Sequence, residues 1–332
     1  MLRRSFCTLI AGGLVSSAVA AQGASQELSS WVDSYVRQGR VIDWQQNGVS
    51  HSEGQGWGLL LAQAAGDRDA FEQLEAWTSA NLAVRQDRLM AWRNTPADGQ
   101  IDWRNATDGD LFRAWALLRA GRDSGWPGYS DTALAIARDI AALCIAADPR
   151  APAEPLLLPG AEARRSSDRV LINPSYVMPR ALRELGMAAG APVLIRAADH
   201  GETVLEELSV AGQLWDWIDV TSSGFAEPIE HRPGWGFDAL RIPLYLAWSN
   251  RRDHPALAEA VRLLERSANA GHVVVQRSAS GEAEVESNHP GFLALSKAVQ
   301  CKSLPLWSAE ERSYYPDTLL MLARTAMREG GC

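Results

Sequence analysis

Lysine is almost missing from this 332-residue chain: only Lys297 and Lys302 join the arginines among its 32 basic residues. Acidic residues number 40, which leaves a net charge of −8. Nucleic acid and anionic membranes both call for basic faces or clusters, so neither is an expected partner. Cysteine is scarce as well, at four residues. There is no Cys-x-x-Cys, no His-Glu-x-x-His and no close histidine pair, so no structural zinc and no cofactor is expected. Long apolar runs are missing too. Residues 6–15 are apolar, but Ser16 and Ser17 interrupt the run before the ~18 residues that a membrane span needs. Arg3 and Arg4 precede that run and Ala18-Val19-Ala20 follows it, the pattern of a secretory leader. The expected product is an exported chain, periplasmic or secreted, with no membrane insertion. Cys7 leaves with the leader; Cys144, Cys301 and Cys332 then allow one disulfide at most, and whether Cys301 and Cys332 pair is open. No linker rich in Gly, Ser or Pro divides the rest. Residues 148–159 carry four prolines but are flanked by similar helical patterns, so they read as a loop. The expected organisation is a leader over 1–20 and one domain over 21–332, working as a monomer.

What is abundant is tryptophan, 13 of 25 aromatic residues, and helical periodicity. Leu28, Trp31, Val32, Tyr35 and Val36 share one helix face, and Trp57, Leu60, Leu61 and Ala64 repeat the spacing. Asp67 caps a third helix bearing Phe71, Leu74 and Trp77. Thr107 opens a fourth, with Leu111, Ala114, Trp115 and Leu118 on one side, and a fifth covers about 130–144. Proline at the first helical position marks starts after Asn173, Ala191 and His254. Further helices fit about 235–249, 255–270, 288–299 and 313–329. Strand alternation is scarce, with 273–276 as the best arm of a short hairpin. The chain reads as all-α.

About 310 residues follow the leader, roughly 26 for each of twelve helices with its loop. Short connections make neighbours antiparallel. Alternate helices, starting near Glu53, Asp108, Pro174, Trp235, Asn288 and Tyr314, then begin at one end of the molecule. That is the geometry of a double-layered α/α toroid with one mouth. Three of these starts carry acids beside glycine: Ser52-Glu53-Gly54-Gln55-Gly56-Trp57-Gly58, Ala106-Thr107-Asp108-Gly109-Asp110 and Gly234-Trp235-Gly236-Phe237-Asp238. A lone acid there complements the helix dipole by about 0.3–1 kcal/mol. Three together, two of them beside tryptophan, point to a site. Paired carboxyls in an aromatic cleft are what glycoside hydrolysis needs, one protonated to release the leaving group and one ionised. An acid at a helix start must be raised by an apolar wall or by other carboxylates, and Trp57 is the candidate wall.

These residues resemble glycoside hydrolase family 8. The Glu53 segment looks like that family's proton-donor segment, residues 106–110 are similar to its A-[ST]-D-[AG]-D signature, and Gly236-Phe237-Asp238-Ala239-Leu240-Arg241 resembles the segment of its general base. Weaker matches are Leu157-Leu158-Pro159-Gly160, Asn173-Pro174-Ser175-Tyr176, Pro290-Gly291-Phe292 and Tyr314-Tyr315, colinear from about 48 to 325. Arg113 and Ser124 depart from the signature, and Trp126 falls two residues late; these departures bear on helix packing. Compact size, the leader and the lack of a binding module resemble the periplasmic endoglucanases that accompany bacterial cellulose synthesis.

The resemblance implies an (α/α)6 barrel and inverting hydrolysis of a β-1,4-glucan. It makes Glu53 the general acid, Asp238 the general base, and Asp108 the carboxylate that binds and distorts the central sugar. Arg241 is placed to orient Asp238. Tryptophans in the motif-bearing loops or helix starts, Trp57, Trp92, Trp103 and Trp235, are the candidate sugar platforms, joined by Tyr176 and Tyr314. Trp31, Trp77 and Trp115 read as core. The implied partner is the glucan polymer, with a place near a cellulose synthase complex. Relatives on chitosan, mixed-linkage glucan or xylan mark the alternatives, and a non-catalytic glycan-binding protein is the rival of another class. A toroidal polysaccharide lyase would need Tyr/His machinery and basic groups for uronates, against the acidic balance.

Overall fold

The computed structural model describes residues 26–95, 99–307, 312–330 and 332; the expected leader and Cys7 lie outside them. Eleven helices are formed among these residues: α1 (26–35), α2 (Ser52–Ala65), α3 (Arg68–Asn81), α4 (Thr107–Arg122), α5 (Ser130–Leu143), α6 (Pro179–Ala189), α7 (Pro192–Ala211), α8 (Ile242–Trp248), α9 (Pro255–Glu265), α10 (Pro290–Val299) and α11 (Tyr314–Glu329). Six form an inner ring that closes on itself: α2 packs on α4, α4 on α6, α6 on α8, α8 on α10, α10 on α11, and α11 on α2. The remaining helices form an outer layer, with α3, α5, α7 and α9 packing against α2, α4, α6 and α8 respectively. This is the (α/α)6 barrel. The twelfth helix of the simple alternation is missing among the described residues, because residues 300–307, after α10, run without helix.

The ring is tight where glycine permits it. A Cβ on Gly56 of α2 would lie 2.8 Å from the Gly109 carbonyl oxygen of α4, and one on Gly109 would lie 2.7 Å from the Glu53 nitrogen. Any larger residue at either place would push the two helix starts apart, and Glu53 and Asp108 with them. Gln55 anchors the approach to α2: its Oε1 accepts from the Val41 N–H at 2.5 Å and its amide donates to Thr78 Oγ1 at 2.6 Å. The departure at Arg113 is explained by an ion pair. Its guanidinium, nearly buried, donates to Glu75 of α3 at 2.5 and 3.1 Å. Ser124 accepts from Gln63, and Trp126 packs on Phe71.

Strand content is richer than the sequence alternation suggests. The stretch 148–159 is not a plain loop: Ala151–Leu157 pairs antiparallel with Ile145–Asp148. The hairpin expected at 273–276 is present as Val273–Ser278 against Ala283–Ser287, and Gly234–Trp235 extends it on the other side. The helix starts expected near Pro174 and Trp235 are replaced by shorter turns. Pro174–Tyr176 is a single 3-10 turn before α6, and α8 begins only at Ile242 after a 3-10 turn over Ala239–Arg241. Trp31 and Trp115 are buried in the core, while Trp77 is half-buried. Cys301 and Cys332 are disulfide-bonded, tying the end of α10 to the chain terminus, and Cys144 is free and buried.

Candidate active site

The starts of α2, α4 and α8 converge on a cleft of about 830 Å³ lined by Glu53, Asp108, Asp238 and Arg241. Glu53 lies in the first turn of α2 and Asp108 in the first turn of α4, where unpaired backbone N–H groups favour negative charge. Arg241 joins all three acids. Its Nη1 donates to Glu53 Oε2 and lies 3.5 Å from Asp108 Oδ2, while Nη2 donates to Asp238 Oδ1 at 2.5 Å and to Ser175 Oγ at 2.8 Å. Asn173 completes the cradle of Asp238, donating to its Oδ2 at 3.0 Å. Arg241 is buried, which is tolerable for a guanidinium only because its donors face acceptors.

The three carboxyls are not equivalent. Asp108 is 2% exposed. Burial pushes its pKa up to about 7, against the pull of its hydrogen bonds from the Gly109 N–H and Tyr176. Asp238 is also raised, by burial first and then by the negative charges of Asp216 and Asp108, with Asn173 opposing. The contact with Arg241 works toward its ionised form. Glu53 keeps part of its side chain open to the cleft. Beside it, His51 stacks on Trp92 with ring centroids 5.4 Å apart. Burial and then Arg93 hold the His51 imidazole down at about 4, so this wall is neutral at ordinary pH.

Of the expected sugar platforms, Trp92, Tyr176 and Tyr314 line the cleft. Three do not. Trp57 is 0% exposed; it points into the ring, beside Phe112 and Tyr315, and its face lies 5.5 Å from the Arg241 guanidinium. It supports the ion cluster from below, and no sugar reaches it. Trp235 is 3% exposed, because pairing with Arg277 in the hairpin sheet sets it in the core. Trp103 is 54% exposed but lies in a neighbouring depression with Arg93, Asp102 and Arg104, beyond Trp92.

Trp217 and the motif residues Phe237, Phe292 and Tyr315 line the cleft as well. Trp217 borders both the main cleft and an adjoining 400 Å³ depression, and stacks on His231 at 3.9 Å and 6°. Its signal was a second tryptophan two residues after Trp215. Phe237, Phe292 and Tyr315 form an aromatic cluster on the opposite side, with Val275 and Val285 of the hairpin. Tyr315 fixes the turn that carries Asp238 by donating to the Phe237 carbonyl. Such a groove, open, aromatic-walled and carboxylate-floored, suits a sugar polymer. Among the described residues no group of His, Cys, Asp and Glu is placed to hold a metal ion.

Comparison with known proteins gives the same answer. The sequence model of the glycosyl hydrolases family 8 matches residues 3–324. A "Probable endoglucanase" of Novacetimonas hansenii is 32% identical over 326 residues, covering 93% of this chain and 92% of that protein. The solved endo-β-1,4-glucanase of Acetobacter xylinum superposes with a TM-score of 0.79 at 29% identity, over 94% of this chain and all of that one. A family 8 endoglucanase of Klebsiella pneumoniae gives 0.82 at 27% identity, over 92% and 99%. With the barrel, the carboxylate cluster and these likenesses in agreement, the chain belongs to glycoside hydrolase family 8 and is a glycoside hydrolase.

Proposed function

We propose that the protein is an endo-acting β-1,4-glucanase that hydrolyses cellulose-type glucan with inversion at the anomeric carbon. The observation that carries this reading is Arg241 gathering Glu53, Asp108 and Asp238 on the floor of an open, aromatic-lined cleft. The relatives named as endoglucanases support the same substrate class. The cleft continues past Trp217 into an adjoining depression, which gives room for several sugars of one chain, as endo cleavage requires.

Glu53 is the general acid, Asp238 the general base, and Asp108 the carboxylate that grips the hydroxyls of the distorted sugar. In the free enzyme Glu53 is ion-paired with Arg241. A glucan bound over Asp108 separates that pair and desolvates Glu53, which raises its proton affinity and lets it carry the proton to the leaving oxygen. Arg241 stays with Asp238 and Ser175, keeping the base charged and aimed at a water. An inverting pair stands about 6.5–9.5 Å apart to leave room for that water. Trp92, Tyr176, Trp217 and Tyr314 hold the flanking sugars.

The finer setting belongs to the same proposal: one catalytic domain over 21–332, monomeric, exported to the periplasm or medium and working near a cellulose synthase complex. The leader-like 1–20 supports export, as does the Cys301–Cys332 disulfide, since such bonds persist in oxidising compartments. The synthase setting rests on the family resemblance alone. The test is to incubate purified protein with carboxymethylcellulose, chitosan, xylan and mixed-linkage glucan in parallel, following early products by proton NMR. Release of α-anomer oligosaccharides from the β-1,4-glucan is the expected result. Preference for another polymer reassigns the substrate, initial β-anomer removes the inverting mechanism, and binding without cleavage makes the protein a glycan-binding module.

A further inference from the structure

Asp216 lies in the connection after α7, twenty-two residues before the proposed base. Its Oδ1 accepts from the backbone N–H of Gly236 at 2.9 Å and of Ala239 at 2.8 Å. These two amides flank Asp238. The 3-10 turn that begins there has Asp238 at its N-cap position, yet the Asp238 side chain makes no capping bond, being turned toward Arg241 and Asn173. Helix starts leave N–H groups without partners. Asp216 supplies the missing acceptor from a distant segment, and its own N–H is anchored on the Gly234 carbonyl at 2.9 Å. The fit is close: a Cβ on Gly236 would lie 2.5 Å from Asp216 Oδ2. Asp216 does not line the cleft, so it touches no substrate, whereas Trp217 beside it does.

We propose that Asp216 is the positioning residue of the general base, clamping the backbone on both sides of Asp238 and placing a second carboxyl group behind it. A neutral acceptor would satisfy the same amides. A carboxylate in that place also repels the charge on Asp238, making it a stronger base, while Arg241 keeps it from being neutralised. The other charged and titratable groups facing the pair are Asp108, Arg241, Tyr176, Tyr245 and Tyr315, and Glu53 through Arg241. Burial holds Asp216 itself up at about 6 against its backbone bonds, so the two carboxyls titrate as a pair.

The inference rests on Asp238 being the base, and the test keeps the two apart. Asp216→Asn retains one oxygen for the clamp and removes the charge. The acid limb of kcat/KM is expected to move to lower pH by about one unit, since a carboxyl freed of a negative neighbour binds its proton less tightly. kcat at the plateau is expected to fall about tenfold with KM within about twofold, because a weaker base pulls less hard on the water. Uniform loss of activity with the limb in place would mean a purely structural role and overturn the proposal. Gly236→Ala tests the clamp with the charge retained, should Asp216→Asn not fold: kcat is expected to drop at least tenfold with KM little changed, and wild-type kcat overturns it. Asp238→Ala is run alongside. If that variant stays active the assignment of the base fails, whatever Asp216 does.

Discussion

Arg241, at the end of the 3-10 turn before α8, is ion-paired with Glu53 in the first turn of α2. Residues 188 positions apart in sequence thus share a contact on the cleft floor, and the same guanidinium reaches Asp238 and Ser175. Arg241→Lys is expected to lower kcat by about 100-fold, since a single ammonium cannot replace a planar fork that serves several acceptors. Arg241→Ala is expected to lower stability in chemical denaturation by about 1–3 kcal/mol, because buried Asp108 and part-open Glu53 and Asp238 lose their shared cation. A lysine variant with more than half of wild-type turnover would remove Arg241 from the machinery.

Asp108 and Asp238 both lie near Arg241 but are expected to respond differently to rescue. Asp238→Ala should lose turnover and regain part of it with azide, a small nucleophile that replaces the activated water. Asp108→Asn should depress kcat strongly without azide rescue, since the lost contact is one that strengthens toward the transition state. Rescue at position 108 and none at 238 would exchange the two roles. Glu53→Gln is the companion control, with turnover expected to drop by at least 100-fold.

Two tryptophans 35 positions apart should separate stability from binding. Trp57→Ala removes a fully buried ring under Arg241 and is expected to cost about 3–5 kcal/mol. Trp92→Phe keeps a ring beside His51 and is expected to raise KM for cello-oligosaccharides severalfold while leaving Tm within a few degrees. A folded, stable Trp57→Ala enzyme with only KM altered would restore Trp57 to the sugar platforms.

The second acid of the signature, Asp110, is a structural carboxyl with a pH signature of its own. It accepts from the Met90 N–H at 2.7 Å and from Asn105 at 2.9 Å, and burial pushes it up to about 7 from the ordinary 3.8. The folded state therefore binds this proton more tightly than the unfolded chain. Its contribution to stability is complete below about pH 4 and is lost as pH rises through 7. Denaturant titrations between pH 4.5 and 7.5 should show stability falling with pH, and Asp110→Asn should flatten that slope. The variant should also be less stable by about 1–3 kcal/mol, since its amide faces the Asn105 amide donor-to-donor. A slope identical to wild type would relocate the effect to Asp108 and Asp216.

Local sequence determined much of this protein. Helical spacing marks the elements of the ring, Asp67 caps α3, proline marks the starts of α7 and α9, and the three acids fall at element starts that meet. These features depend on neighbours a few residues away, so spacing and cap chemistry suffice to read them. The glycines beside Glu53 and Asp108 are visible in the sequence, but nothing local says that Gly109 packs against Gly56.

What the tertiary structure alone decided is which way each side chain faces once the ring has closed. Trp57, Trp92 and Trp235 all stand beside motif residues, yet one supports Arg241 from the core, one walls the cleft and one is buried by strand pairing. Trp217 and Asp216 are adjacent in sequence, yet one meets the cleft and the other holds the backbone behind it. Burial and electrostatic coupling are set by distances between segments from about 20 to 188 residues apart, and no local pattern encodes those. Local sequence marks the candidate residues; closure of the barrel decides which of them share a charge, a wall or a proton.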